Sequence, residues 1–121
     1  MGLTACTCSW GLSISDTKTV LTSAQTPYKG TTVIGHALAK HAGRPATFSN
    51  PNISGEQVWG KIKGNMASYN EKGMEHLRDI LRAPGAFQPT TNPGAIFLEK
   101  RLPDGRGIRL NQDMTFKGFV D

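Results

Sequence analysis

Apolar residues spaced three and four apart predict three helices in the first two thirds of the chain. Each predicted helix begins at a residue that can cap it and ends near glycine or proline. Thr31 or Thr32 can cap the first helix, Ser54 can cap the second, and the third begins near Ser68. The predicted helices cover about residues 31–42, 55–63 and 68–82. Gly73 makes the start of the third helix insecure, because glycine weakens a helix interior.

The last part of the chain alternates apolar and polar residues with the period of two that β-strands show. Residues 97–119 predict a three-stranded antiparallel meander, in which Asp104-Gly105 supplies the tight turn between the first two strands. Residues 86–88 can open this sheet. Strict alternation also predicts that Phe116 and Phe119 point to opposite faces. The expected fold class is α+β, with N-terminal helices packed on a small C-terminal antiparallel sheet.

The first 30 residues differ from the rest because they are rich in Ser, Thr and Gly and carry few charges. We interpret residues 1–30 as a linker or loosely attached arm, with an edge strand and loops as the alternative, and residues 31–121 as the folded domain. Cys6 and Cys8 are separated by one residue, which disfavours a mutual disulfide and supplies at most half of a zinc site. A chain without a disulfide framework suits a reducing cytosol.

The formal net charge of the 121-residue chain is +5, which favours an acidic partner. Nucleic acid, an anionic membrane surface and an acidic protein all meet that condition. The sequence has no apolar run of about 18 residues, so no membrane span is expected. The length suits one domain with a single modest core.

Residues 35–44 place two titratable histidines, a lysine and an arginine within one short segment: His36, Lys40, His41 and Arg44. On the predicted helix His41 shares the apolar face, and His36 points about 140° away from it. The two histidines are therefore not expected to act as a pair while the helix continues through His41. Taken singly, His41 also fits a buried structural histidine and His36 a solvated one.

Histidines and cations without a carboxylate cluster fit the metal-independent cleavage of RNA. In that reaction the ribose 2′-OH attacks the phosphate, a base takes its proton, and an acid protonates the leaving 5′ oxygen, which gives a 2′,3′-cyclic phosphate. Histidine suits both proton transfers, and arginine can bind two phosphate oxygens at once. We predict catalytic roles for His41, His36, Thr115 and Lys117. We predict that RNA phosphates bind Lys40, Arg44, Arg101, Arg106 and Arg109.

The acidic residues are dispersed along the chain and form no set that resembles a two-metal carboxylate site. The sequence also lacks a phosphate loop and a dinucleotide fingerprint, so no metal and no cofactor are expected. Two alternatives stay open: a non-catalytic nucleic-acid-binding module, which would need the cations but not the histidines, and an enzyme of another chemistry, such as a deaminase. The missing Cys-x-x-Cys pair argues against a zinc deaminase.

The chain resembles the C-terminal toxin domains of bacterial polymorphic toxins, which include the effectors of contact-dependent growth inhibition. The segments that carry this resemblance are Gly35–Arg44, Trp59–Ile62, Arg82–Gly85, Leu102–Asn111 and Thr115–Phe119. The resemblance covers about residues 30–121 and implies the layout of the barnase/EndoU/colicin/RelE group. In that group N-terminal helices pack on a C-terminal antiparallel sheet.

The resemblance implies an antibacterial endoribonuclease that is directed at tRNA. It also implies a cognate acidic immunity protein that blocks the cationic face, and a monomer apart from that complex. Such domains are carried by a larger secreted or cell-surface effector and act in the cytoplasm of the target cell. The resemblance assigns no catalytic set, so the site residues remain those predicted from residue chemistry.

Overall fold

The computed structural model describes residues 12–121, in which helices precede an antiparallel sheet. The helices are α1 Ile14–Ala24, α2 Val33–Ala42, α3 Gly55–Trp59 and α4 Met66–Arg82. A short hairpin of β1 Pro27–Tyr28 and β2 Thr31–Thr32 joins α1 to α2. The main sheet consists of β3 Gln88–Asn92, β4 Ala95–Arg101, β5 Gly107–Leu110 and β6 Phe116–Val120, paired in that order. The α+β prediction is therefore confirmed.

Helix α1 corrects the interpretation of residues 1–30 as a loose arm, as far as residues 12–30 are concerned. Val20 and Ala24 are fully buried in the common core, and Thr17 is buried on the same face. The sequence hides this face because threonine counts as polar, whereas the Thr17 hydroxyl is satisfied by donating to the carbonyl of Ser13 at 2.8 Å. Residues 1–11, with Cys6 and Cys8, lie outside the described part of the chain.

Helix α2 begins and ends as predicted. Its N-cap is Thr32, whose hydroxyl accepts the N–H of Gly35 at 3.1 Å, and its C-cap is Gly43. Helix α3 is shorter than predicted because Gly60 adopts a φ of +87°, which a helix cannot continue through.

Helix α4 begins two residues before the predicted start, because Asn65 caps it by accepting two backbone N–H groups. Gly73 stays inside this helix and is buried. A Cβ at this position would lie 2.9 Å from Cγ1 of Ile34, so glycine allows α4 to approach α2 closely.

The sheet extends the predicted meander by one strand, β3, which pairs with β4. The pairing of β5 with β6 contains a bulge, because Arg109 faces Gly118 while Leu110 faces Phe116. Lys117 is therefore the extra residue of β6. The bulge overturns the prediction that Phe116 and Phe119 face opposite ways, since both are 4% exposed and lie in the core.

The core lies between the helices and one face of the sheet. Its fully buried side chains come from α1, α2, α4 and β5, among them Val20, Ile34, Leu38, Leu77, Ile80, Leu81, Ile108 and Leu110. This packing leaves the other face of β4–β6 free to form a surface beside α2. Within residues 12–121, none of the helices combines the length and the apolar character that crossing a membrane requires.

Candidate active site

A cleft of about 750 Å³ lies between α2 and the C-terminal part of the sheet. Its cationic lining residues are Lys40, Arg44, Arg101, Arg109 and Lys117, and they are joined there by His36 and His41. Asp121 is the one carboxylate among the described residues that line it. An excess of cations in a concave surface focuses a positive potential, which attracts phosphate groups.

His41 is buried at the inner wall of this cleft, with only 6% of its surface exposed. Its Nδ1 lies 2.9 Å from Oδ2 of Asp121. Because an ionised carboxylate only accepts hydrogen bonds, Nδ1 carries the proton and Nε2 keeps its lone pair. Burial lowers the pKa of His41 below its ordinary value of 6.5, although the hydrogen bond to Asp121 acts in the opposite direction. His41 is therefore a neutral imidazole near pH 7 that can accept a proton at Nε2.

Asp121 is held by three donors from different parts of the chain. Its Oδ2 also accepts the indole N–H of Trp59 at 3.0 Å, and its Oδ1 accepts the backbone N–H of Phe48 at 3.3 Å. Burial acts to raise the pKa of Asp121, but the hydrogen bonds from Trp59 and His41 outweigh it and leave that pKa below its ordinary value. Asp121 is therefore ionised, and it fixes both the orientation and the tautomer of His41.

His36 also lines this cleft and is exposed. Its ring packs edge-on against Tyr28, with the centroids 4.9 Å apart. The cleft brings the two histidines to one site although they stand about 140° apart around α2. It does so because the helical stripe between them also lines the cleft, through Val33, Ala37 and Lys40.

Glu99 holds two arginines on the sheet wall of the cleft. Its Oε1 accepts Nε of Arg101 at 2.7 Å, and its Oε2 accepts Nη2 of Arg109 at 2.8 Å. Burial acts to raise the pKa of Glu99, but the hydrogen bonds from Arg109 and Arg101 together outweigh burial, so that pKa lies below its ordinary value. Arg109 also lies with its Cζ 5.4 Å from the centre of the Phe97 ring, and Nζ of Lys117 lies 5.9 Å from the same ring. These contacts with Glu99 and Phe97 hold the side chains of Arg101, Arg109 and Lys117 in position on the sheet wall.

The structure does not bring Arg106 to the cleft. Arg106 precedes β5 at the far end of the sheet, where it faces α4. Its Nη2 lies 2.8 Å from Asp104, and its Nη1 lies 3.1 Å from Asp79 and 3.0 Å from Nδ1 of His76. Its donors are therefore occupied by groups outside the cleft.

Thr115 also lies outside the residues that line the cleft. Its hydroxyl donates to Asp113 at 2.6 Å and accepts the side-chain N–H of Asn111 at 3.0 Å. These bonds close the turn between β5 and β6. Of the nine site residues predicted from the sequence, seven line the cleft, and Arg106 and Thr115 do not.

Sequence reasoning missed Asp121, Trp59 and Phe48 as parts of the site. Asp121 stands 80 residues from His41 along the chain and belongs to no local motif. Nothing in the sequence pattern indicates which histidine it meets. Among residues 12–121, no three His, Cys, Asp or Glu side chains are grouped so that they could hold a metal ion.

A family model described as CdiA C-terminal tRNase toxin domain matches residues 21–121. The fold is similar to a crystal structure of the toxic C-terminal tip of CdiA from Pseudomonas aeruginosa in complex with an immune protein. That chain is 58% identical, with a TM-score of 0.71, and the match covers 82% of the present chain and 98% of that one. No curated protein sequence matches the chain significantly.

The family match covers most of the chain, and the similar structure supports the same assignment at high identity. Together they confirm the predicted resemblance to contact-dependent growth inhibition toxins and the predicted endoribonuclease activity on tRNA. The open alternative of a non-catalytic binding module is thereby disfavoured. The chain belongs to the CdiA C-terminal tRNase toxin domain family.

Proposed function

We propose that this toxin domain cleaves tRNA in the cationic cleft without a metal, with His41 as general base and His36 as general acid. The observation that carries the proposal is the His41–Asp121 pair at the wall of a cleft lined by five cations. A buried, neutral and oriented imidazole beside a phosphate-binding surface is the arrangement that 2′-OH activation requires.

The bond changes follow from that arrangement. His41 Nε2 takes the proton of a ribose 2′-OH, and the 2′ oxygen forms a bond to the adjacent phosphorus. The bond from phosphorus to the 5′ oxygen of the next nucleotide breaks, and His36 gives its proton to that oxygen. The products are a 2′,3′-cyclic phosphate on one fragment and a 5′-OH on the other. Asp121 stabilises the imidazolium that forms at His41, and it does not itself take the proton.

The cations of the cleft supply charge stabilisation. Arg101 and Arg109 stand on the sheet wall, Lys40 on α2, Arg44 just after the end of α2, and Lys117 at the bulge of β6. A phosphate between these walls is within reach of donors from two sides, which stabilises the additional negative charge of the transition state. We do not extend this role to Arg106 and Thr115, because neither residue lines the cleft.

A cognate immunity protein is the second part of the proposal. The similar toxin tip from P. aeruginosa is in complex with an immune protein. For the present chain we propose an acidic partner, because its net charge is +5 and five cations line one cleft. Complementary charge speeds association and makes it depend on salt. We also propose that a larger secreted or cell-surface effector carries this domain, which then acts in the cytoplasm of the target cell.

The test is the incubation of the purified domain with tRNA in the presence of EDTA, followed by analysis of the fragment ends. Cleavage that yields 2′,3′-cyclic phosphate and 5′-OH ends supports the mechanism. Loss of cleavage in EDTA that Mg²⁺ restores would overturn it. Addition of the immunity protein encoded beside the toxin should stop cleavage, and weaker inhibition at high salt is the expected sign of an acidic partner.

A further inference from the structure

Two exposed aromatic side chains flank the cleft. Among residues 12–121, the large hydrophobic side chains with high exposure are Ile14, Tyr28, Phe48, Met66 and Ile96. Phe48 is 75% exposed and Tyr28 is 39% exposed, and these two aromatic members both line the cleft. The remaining three are aliphatic and lie outside its lining. Aromatic exposure in the described part of the chain is thus concentrated where the cations are.

Phe48 stands beside the proposed general base. Its ring meets His41 edge-on with the centroids 6.1 Å apart, and the guanidinium of Arg44 lies over it at 3.8 Å. Its backbone N–H donates to Asp121, and the neighbouring Thr47 ties the loop through bonds to Asn50 in both directions. The ring is therefore held in place although it is exposed, which lowers the entropic cost of using it for binding.

Tyr28 packs against His36, the proposed general acid, as Phe48 packs against His41. It ends β1 of the short hairpin, and its ring packs edge-on against His36. Nζ of Lys29 lies 5.3 Å from the centre of this ring. The cleft thus has an aromatic ring next to each proposed proton-transfer group.

Aromatic rings interleaved with cations are suited to unpaired nucleotides. The cations hold the backbone, and the rings stack on bases that a double helix would keep covered. Resting on the proposed function, we infer that Phe48 and Tyr28 each stack on a nucleobase on either side of the phosphate that is cleaved. The cleft therefore takes an unpaired stretch of RNA and discriminates against a helical stem.

The inference can be tested by binding alone, without cleavage. The probes are a short 2′-O-methyl RNA single strand, which has no free 2′-OH to react, and a duplex with the same number of phosphates. The wild-type domain should bind the single strand about tenfold more tightly than the duplex. Phe48→Ala and Tyr28→Ala should each weaken single-strand binding about tenfold and leave duplex binding unchanged.

Matched variants separate stacking from other causes. Phe48→Trp and Tyr28→Phe keep an aromatic ring and should retain single-strand binding. Ile14→Ala removes an apolar side chain away from the cleft that is 69% exposed, and it should change neither affinity. All of these variants alter exposed positions, so unchanged melting temperatures are expected and are measured alongside.

Equal affinity of the wild type for single strand and duplex would overturn the inference, as would unchanged binding by both alanine variants. Loss of immunity-protein binding by these variants, with RNA binding intact, would also overturn it and assign the rings to protein contact. None of these outcomes touches the proposed mechanism, which is judged by tRNA fragment ends and by the histidine variants.

Discussion

Trp59 donates its indole N–H to the same oxygen of Asp121 that accepts Nδ1–H of His41, at distances of 3.0 and 2.9 Å. Trp59 is itself fixed, because its ring packs against Phe119 with centroids 4.6 Å apart and its carbonyl lies 2.8 Å from Nε2 of His76. The core of the protein thereby sets the position of the carboxylate, and the carboxylate sets the position of the imidazole.

Asp121→Asn removes the charge and keeps the size of the side chain. We expect kcat for tRNA cleavage to fall about a hundredfold, because the tautomer of His41 is no longer enforced and the imidazolium is no longer stabilised. The pKa of His41 should fall further, since Asp121 is what raises it against burial. The acid limb of the kcat/KM profile should therefore move to lower pH.

Asp113→Asn is the matched control for that experiment, because Asp113 binds Thr115 outside the cleft. It should leave both kcat and the pH profile unchanged. An Asp121→Asn domain with wild-type kcat and an unmoved acid limb would contradict the positioning role.

His41→Ala and His36→Ala should each lower cleavage about a hundredfold or more, but they should differ in stability. His41→Ala removes one of the three hydrogen-bond donors of the buried Asp121 and should destabilise the fold by about 1–3 kcal/mol. His36 is exposed, so its removal should change stability by less than about 0.5 kcal/mol. Thermal unfolding and tRNA cleavage measure the two effects separately.

His41→Asn keeps an N–H that can reach Asp121 and guards against a result that reflects unfolding alone. Cleavage at the wild-type rate by a folded His41 variant would assign that residue to the core and remove it from the mechanism.

Stability should fall as the pH drops below about 7. Burial lowers the pKa of both His41 and His76, from an ordinary value of 6.5. The unfolded chain therefore takes up protons near pH 6.5 that the folded chain refuses, and the stability present above this pH is lost as the pH falls toward the lowered pKa values. Asp121 and Glu99, whose folded pKa values are also lowered, extend the loss to more acidic pH.

Urea unfolding at pH 7.5 and pH 5.5 measures this dependence. The His76→Gln variant should show a smaller loss between the two values, because one of the two imidazoles with a lowered pKa is gone. A free energy of unfolding that is constant or rises between pH 7.5 and pH 5.5 would contradict the burial of neutral histidines.

Arg109→Ala and Arg106→Ala remove the same charge from different places. Arg109 lines the cleft, so its loss should weaken RNA binding and reduce the slope of log K against log salt by about 1. Arg106 is bound by Asp79 and Asp104, so its loss should leave that slope unchanged and lower stability instead. Equal salt slopes for the two variants would count against the cleft as the RNA site.

Most of the helices and strands could be predicted from local sequence signals such as caps and turns. Helix α2 was predictable because Thr32 and Gly43 are strong caps at its two ends, and the turn between β4 and β5 was predictable from Asp104-Gly105. Helix α1 was missed because Thr17 occupies a buried position that the hydrophobic pattern assigns to an apolar residue.

The site was only partly predictable, because part of it is assembled by pairs that lie far apart along the chain. The cationic and histidine content of α2 is visible in the sequence, but the 80 residues between His41 and Asp121 conceal their pairing. In the sequence Arg106 is indistinguishable from Arg109, because Arg106 directly precedes β5 and Arg109 lies within it. Tertiary contacts with Asp79 on α4 and with His76 separate them.

The one-residue bulge at Lys117 determines which side chains of β6 face the core and which face the cleft. Phe116 and Phe119 anchor the strand in the core, and Lys117 between them lines the cleft. Asp121, just after the strand, forms the hydrogen bond to His41. Deleting Lys117 would leave Phe116 opposite Leu110 and Phe119 opposite Ile108 in a regular ladder, so both anchors would still face the core, and the cleft would lose a cation. An extra residue between Phe119 and Asp121 would instead turn the Asp121 side chain to the opposite face of the strand and break its pair with His41, so the length of the strand is constrained after Phe119 and not at the bulge.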